Sequence, residues 1–421
     1  MAEYTEREIS LVLSAALDIG ESMLETGAEI HRVEDTVERI CLAYGAERAD
    51  VFSIISLIVA TFQTKEGHHK TQSRRVYAAG TNLCNLEVMN ALSRRICRET
   101  PPPADLAGLI REAHEKQKEK RLAVLWRLLG GMLAVGAFVI FFGGTILDAL
   151  VAAVIALPVQ IVSQSDPRGF NMLAKTFISA FIAGILAVFA VRFGIGQNAD
   201  KIMIGTIMLL IPGLAFGASL RDMLCGDIMA GSLRLIQSML LAIVIASGYA
   251  LAILLPGTSF GISDAAAVPL LVIVAGVLGT VGFSITFRIR WSRLPFAAVG
   301  GLIAAAVYVV TSQYGADYFV SNLVAAIAVT FYSEIMARLI KTPVTVLLIP
   351  GIVPLVPGGM LYYTMRYLVT GDTERFRDAG LGTALTGLGI AVGLMVVSLT
   401  AHVITGQIAA RKKRRKKQRA D

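Results

Sequence analysis

Acids and bases set inside apolar stretches are the residues of this sequence that can do chemistry. Glu334 stands in Phe331-Tyr332-Ser333-Glu334, well inside an apolar run, with Arg338 four residues on. A carboxylate at membrane depth is costly, so it marks a proton carrier or half of an ion pair. Arg338 shares its helical face and is the structural partner. Arg192 is a second charge inside an apolar run. Asp222, Asp227 and Arg234 follow in Leu220-Arg221-Asp222-Met223-Leu224-Cys225-Gly226-Asp227 and beyond. They suit proton coupling or ion pairing, or, more plainly, a solvated loop with an Asp near a helix start. Asp148 reads as a cap or polar contact, and His402 as an interfacial residue. Near the N-terminus, Glu29, Arg32 and Asp35 fall close to one helix face. That pattern suits a ligand or docking site, and equally a salt-bridged helix surface. The sequence shows no phosphate-binding loop, no nucleophile elbow and no metal-ligand cluster, so neither enzyme chemistry, nor a cofactor, nor a metal is expected. Cys41, Cys84, Cys97 and Cys225 lack CxxC spacing and read as reduced thiols.

Two copies of one phrase must position these groups. Leu209-Leu210-Ile211-Pro212-Gly213 and Leu347-Leu348-Ile349-Pro350-Gly351 each sit inside an apolar stretch. The second runs on through Pro354, Pro357 and Gly358. Proline removes a backbone donor and clashes with the preceding turn, and glycine loosens the chain. Pro-Gly at membrane depth predicts a broken helix, tolerated only where it is buried in protein or lines a cavity. Half-helix ends offer unpaired N–H and C=O groups to a polar ligand. Pro212, Gly213, Pro350, Gly351, Pro354, Pro357 and Gly358 are therefore the candidate substrate-binding positions. The additional prolines predict that the second break is the longer one and contributes more of the grip.

The 421 residues are 55% hydrophobic and 17% charged, with mean hydropathy +0.65. That is the composition of an integral membrane protein. The net charge is +8, but the last eleven residues hold eight Lys/Arg against one Asp, leaving +1 for the other 410. The basic balance thus reports a tail that suits anionic lipid, not a nucleic-acid surface. No signal peptide is expected, since Glu3, Glu6 and Glu8 replace a basic start. Ten spans are expected, near 122–142, 146–163, 172–191, 201–221, 229–254, 266–287, 294–311, 318–340, 343–369 and 382–405. The first two, joined only by Gly143-Gly144-Thr145, could instead be a re-entrant pair. Lys/Arg bias places both termini in the cytoplasm, with Arg192, Lys201, Arg375 and Arg377 against the trend on the outside.

The spans repeat. Gly131 to Phe142 matches Gly276 to Phe287 at Gly131/Gly276, Leu133/Leu278, Phe138/Phe283, Ile140/Ile285 and Phe142/Phe287, an offset of 145. Phe177-Ile178-Ser179 matches Phe319-Val320-Ser321 at offset 142, and the Pro-Gly phrases match at offset 138. Five spans per half make the second half enter from the opposite side, an inverted repeat with broken helices 4 and 9. The offset makes Arg192 the equivalent of Glu334, so a pair across the pseudo-symmetry axis is conceivable. The fold expected is thus membrane and mainly α-helical: repeat 1 over 122–258, repeat 2 over 259–408 and a basic tail over 409–421. A small α+β cytoplasmic domain over 1–121 precedes it.

The stretches GAEIHRVEDTVERICLAYGA and RRVYAAGTNLCNLEVMNALSRRI resemble the soluble-domain signatures of the threonine/serine exporter family. IPGLAFGASLRDMLCGDIMAGSLRL and FYSEIMARLIKTPVTVLLIPGIVPLVPGGMLYYTM resemble its two membrane motifs. The resemblance covers essentially the whole chain. It implies a soluble cytoplasmic domain fused to ten spans and proton-driven export of small hydroxy amino acids. Some relatives divide these parts between two proteins linked to dicarboxylate export. By motif, Pro212, Gly213, Asp222, Asp227, Arg234, Glu334, Pro350, Gly351, Pro354, Pro357 and Gly358 match the patterned positions. His31 stands where an aromatic residue is expected. The resulting expectation is a bacterial inner-membrane secondary exporter of threonine, serine or a similar metabolite, with Glu334 leading for proton coupling. Its expected partners are that small polar metabolite, protons, membrane lipid and, left open, further copies of itself. A dicarboxylate exporter, a channel and a membrane-anchored sensor or enzyme are the rival readings.

Overall fold

Thr5 starts the first helix by a reciprocal cap. Its hydroxyl accepts the Glu8 N–H at 3.3 Å, and the Glu8 carboxylate accepts the Thr5 N–H at 2.8 Å. The computed structural model describes residues 4–77, 80–117, 121–165, 171–210, 213–224, 226–254 and 268–417. Helices α1 (Glu6–Glu25) and α2 (Ile30–Ala43) are each followed by a glycine with positive φ, Gly27 and Gly45. Strands β1 (Arg48–Ile54), β2 (Leu57–Gln63) and β3 (His69–Arg75) make an antiparallel meander, with Val51 opposite Ala60 and Ala60 opposite Gln72. Alternation on β2 buries Ile58, Ala60 and Phe62. Gly20 lets α1 approach this layer, since a Cβ there would lie 2.9 Å from Val37 and 3.3 Å from Ile58. Helices α3 (Leu83–Glu99) and α4 (Leu106–Glu115) complete the N-terminal region.

The remaining helices are α5 (Arg121–Phe141), α6 (Ile146–Gln164), α7 (Met172–Arg192), α8 (Ala199–Ile207), α9 (Gly213–Leu224), α10 (Ile228–Leu254), α11 (Pro269–Thr286), α12 (Leu294–Gln313), α13 (Tyr318–Leu339), α14 (Val344–Gly351), α15 (Gly358–Thr370) and α16 (Thr373–Lys417). Among the described residues, eight helices are long and apolar enough to cross a membrane. Residues 344–355 with α15 make a ninth candidate, bent by 48°. Helices α8 and α9 occupy the stretch expected as the fourth span. Ile211 and Pro212, between them, lie outside the described residues.

The Gly143-Gly144 pair joins two separate long helices, α5 and α6, as the span count expects, and the alternative of a re-entrant pair falls away. Two expectations change. Helix α16 begins at Thr373, so Arg375 and Arg377 belong to its first turns and not to a loop, and it carries the basic tail as helix to Lys417. Pro350 and Gly351 end α14 rather than interrupt it; the break falls over 352–357. Proline disturbs the bond to the carbonyl four residues earlier, and a short 3-10 turn at Val353–Leu355 takes up the disruption.

Helices α5 and α11 pack backbone to backbone. A Cβ on Gly282 would lie 2.5 Å from the Ala134 nitrogen and 2.6 Å from the Gly130 oxygen; one on Gly130 would lie 2.9 Å from the Gly282 oxygen. Small residues of this kind let helices associate where lipid removes the hydrophobic drive. Phe138 and Phe283, matched at the 145 offset, meet edge to face with centroids 5.8 Å apart. Gly282→Ala should therefore cost about 1–3 kcal/mol through overpacking against backbone. Gly380→Ala, whose nearest neighbour is a Thr364 methyl at 3.6 Å, should be tolerated. Thermal unfolding of the two variants in detergent checks the contrast.

Candidate functional site

The N-terminal region is joined to the apolar helices by charges. The Arg221 guanidinium, in the last turn of α9, forks onto Glu29 at 2.5 and 3.2 Å. Their side chains are only 12% and 16% exposed. Arg32, in the first turn of α2, donates to the Thr345 hydroxyl at 2.7 Å. Glu87 on α3 meets Arg290 at 3.2 Å and Arg293 at 3.4 Å, and the Leu83 N–H donates to the Phe287 carbonyl. Ile289, Ala297 and Val346 join the apolar core of the N-terminal region, so the junction is packed as well as paired.

A cavity of about 380 Å³ lies under this junction, within the range of small-ligand sites. Met208, Leu209 and Leu210 line it from one Pro-Gly phrase; Leu348, Ile349, Ile352, Val353 and Val356 line it from the other. The two interrupted segments thus face one space. Residues 208–210 leave α8 in tight turns, each N–H bonding the carbonyl three residues back. The polar lining is Glu29, Thr81, Arg221, Asp222, Arg234, Gln237, Ser238 and Thr345. Arg234 donates to Asp222 at 2.8 Å, and the Asp222 side chain is 6% exposed. Two ion pairs beside an apolar wall can exchange partners with a zwitterion, the arginines taking a carboxylate and the acids an ammonium.

A second cavity of about 610 Å³ adjoins the first and shares Glu29, Arg221, Thr345 and Leu348 with it. His31, Arg32, Arg94, Glu334, Arg338 and Lys341 line it. Burial raises the Glu29 carboxyl, but Arg221, His31 and Arg32 outweigh burial and hold it below the ordinary carboxylate range. Burial, helped by Arg221 and Arg32 and opposed by Glu29, holds His31 below its ordinary value.

The structure brings some expected residues together and disperses others. Asp222 is not in a solvated loop: it is buried in α9 and paired with Arg234. Asp227 starts α10, its carbonyl accepting the Gly231 N–H. Glu334 pairs with Arg338 at 3.3 Å. It does not meet Arg192, which ends α7 near the 197–198 turn, whereas Glu334 stands beside the N-terminal region. Residues equivalent under an inverted repeat occupy opposite faces, which would keep these two apart. Pro350 and Gly351 are buried, Gly351 facing Val329 and Gly300, and neither lines the cavity. Pro354, Pro357 and Gly358 also shape the backbone without lining it, and Pro212 lies outside the described residues. Arg32 and Asp35 share a separate cleft that Glu29 does not enter.

Two features are not legible in the sequence. Arg221 stands out there only as the neighbour of Asp222, yet it ties α9 to Glu29. Lys201, expected outside, is 5% exposed, as is Asp200 at 2%, and the Lys201 ammonium approaches Tyr363 at 3.3 Å. Asp148, read from the sequence as a cap or polar contact, is both: it caps α6 and accepts from the Gln197 and Asn198 N–H groups at 2.7 and 3.0 Å, fixing the turn that leads into α8.

A bundle of long apolar helices around a largely apolar cavity that carries a few charged groups defines a multi-pass membrane protein. Sequence comparison then names the family. The family model described as "Putative threonine/serine exporter" matches residues 14–255, and one described as "Threonine/Serine exporter, ThrE" matches residues 272–400. The chain belongs to the threonine/serine exporter family, whose members are transporters and not enzymes. It is 25% identical to a threonine/serine exporter of Corynebacterium glutamicum, over 97% of this chain and 84% of that one. It is 26% identical to a "Probable threonine/serine exporter" of Mycobacterium tuberculosis, over 91% and 74%. No solved structure matches it.

Both Glu29 and His31 have folded values below their unfolded ones. Their contribution to docking is therefore complete above the unfolded values and is lost as pH falls through the folded ones. Glu29→Gln leaves Arg221 buried without its partner and should destabilise the junction by about 3 kcal/mol at neutral pH. The wild type should lose thermal stability on acidification, and the variant should lose less. Unfolding midpoints across pH check both.

Proposed function

We propose that this protein exports threonine, serine or a similar small polar amino acid across the bacterial inner membrane, exchanging it for protons. The observation that carries this reading is the cavity lined by both Pro-Gly segments and holding the Glu29–Arg221 and Asp222–Arg234 pairs. Its relatives' names point the same way. Ten spans in two inverted halves would place this cavity between equivalent broken segments. The Phe138–Phe283 contact supports that arrangement, because residues near a pseudo-two-fold axis meet their own equivalents. Residues 1–121 would form a cytoplasmic α+β domain, and both termini would lie inside.

The substrate carboxylate takes Arg234 or Arg221, and its ammonium takes the carboxylate so released. Export against a proton gradient needs substrate and proton to compete for one site. Asp222 provides it, since an ammonium and a proton cannot both occupy the same carboxylate. Glu334, paired with Arg338 in the adjoining cavity, is a second acid on the same route. One observation favours the dicarboxylate reading: that adjoining cavity sets Arg32, Arg94, Arg221, Arg338 and Lys341 against Glu29 and Glu334.

Proteoliposomes loaded with labelled threonine, serine or succinate decide between them. Threonine or serine should leave fastest, and a proton ionophore should slow efflux; preferential succinate efflux would favour the second reading. Asp222→Asn should retain threonine exchange across the membrane but lose its dependence on a pH gradient. An unchanged dependence would remove Asp222 from coupling.

A further inference from the structure

Helices α2 and α3 enclose a cleft of about 450 Å³ that the transport reading does not use. Arg32, Asp35, Thr36 and Arg39 enter it from α2 at i, i+3, i+4 and i+7. Asn90, Ser93, Arg94 and Arg98 enter it from one face of α3. Two of the four arginines are ion-paired within the protein: Arg39 with Asp35 at 2.8 Å, and Arg98 at 2.9 Å with Glu99, which it shares with Arg95. Arg94 has no ion-pair partner among the described residues; Arg32 donates to the Thr345 hydroxyl and feels the Glu29 and Asp35 carboxylates at longer range. Arg94 therefore faces the cleft unpaired, beside an Arg32 that no carboxylate contacts directly. Beneath them lie two buried polar side chains, Asn90 at 8% exposure and Thr36 at 9%. Neither the Asn90 amide nor the Thr36 hydroxyl has a hydrogen-bond partner among the described residues, and both open onto the cleft. Their bonding capacity is therefore available to a ligand that enters it.

We propose that this α2–α3 cleft binds a phosphate group, held by Arg32 and Arg94 with Asn90 and Thr36 beneath. Guanidinium forks match phosphate oxygens, and two of them balance a dianion. The convergence of at least three donors suits phosphate better than a carboxylate, which offers only two oxygens. Thiol chemistry has no part in it, because burial pushes the Cys97 thiol above its ordinary value. The position gives the site a consequence. Arg32 reaches Thr345, which lines the transport cavity, so an anion drawing on Arg32 changes a contact at that cavity. The phosphate could come from a soluble compound or from a lipid headgroup at the cytoplasmic surface.

Titration of the purified full-length protein in detergent with pyrophosphate tests the proposal. Saturable binding of one equivalent is expected. It should weaken at least tenfold in Arg94→Glu, and likewise in Asn90→Asp, which keeps the side-chain shape and adds a repelling charge. Arg98→Gln, which removes a guanidinium already held on Glu99, should change it less than threefold. Acetate at equal ionic strength should not compete. Nanodiscs separate the two sources. Equal pyrophosphate affinity in phosphatidylglycerol and phosphatidylcholine discs identifies a soluble phosphate compound as occupant. Loss of binding in phosphatidylglycerol discs alone identifies a lipid headgroup. Absence of saturable binding in every medium, or equal affinity in wild type, Arg94→Glu and Asn90→Asp, overturns the proposal, and leaves the transport reading untouched.

Discussion

Four ionised side chains meet at one cavity, and much of the architecture follows from the need to neutralise them. Glu29 and Arg221 come from different regions of the chain; Asp222 and Arg234 come from adjacent helices. Removing a charge from water costs several kcal/mol unless a partner and further hydrogen bonds replace the water. Arg221 and Asp222 are neighbours in sequence, yet each pairs in a different direction, one toward the N-terminal region and one toward α10. The last turn of α9 is therefore tied on both sides. The N-terminal region is part of the cavity wall, because Glu29, Gly27 and Thr81 line the space with the membrane helices.

The apolar helices solve a different problem. With lipid outside, burial of hydrophobic area does little to bring them together, and close packing must do it. The glycine crossing of α5 and α11 brings backbones into contact and leaves Phe138 and Phe283 meeting edge to face beside it. Around that tight crossing the chain can afford irregular backbone. The turns after α8 and the 3-10 segment after α14 expose peptide groups that would be intolerable against lipid. Both segments instead line the protein's own cavity.

The sequence was most legible where a single physical rule decides. Apolar runs gave the long helices, and Gly27 and Gly45 marked helix ends because positive φ suits glycine. The paired Pro-Gly phrases pointed to one shared space. The rest depended on distance in three dimensions. Nothing in GAEIHRVED says that Glu29 will meet Arg221, 192 residues away. Pro350 and Gly351 drew attention as unusual residues, but their effect is to redirect the chain, and the apolar neighbours Ile352, Val353 and Val356 meet the space. Lys201 looked like a loop charge because a lysine beside an aspartate usually is; burial reversed that reading. Asp222 was underrated for the same reason, since its partner Arg234 lies three turns further on.

The central claim is that the cavity between the N-terminal region and the two Pro-Gly segments holds the transported amino acid. Ala218 lines that cavity from α9 without contributing a charge. Alkylation of an Ala218→Cys variant, measured against the unsubstituted protein with and without threonine, tests the claim most directly. The account predicts that threonine slows modification at position 218 in a saturable way, while alanine-sized inert solutes such as acetamide do not. A modification rate that threonine leaves unchanged, in a variant that still transports, would contradict it.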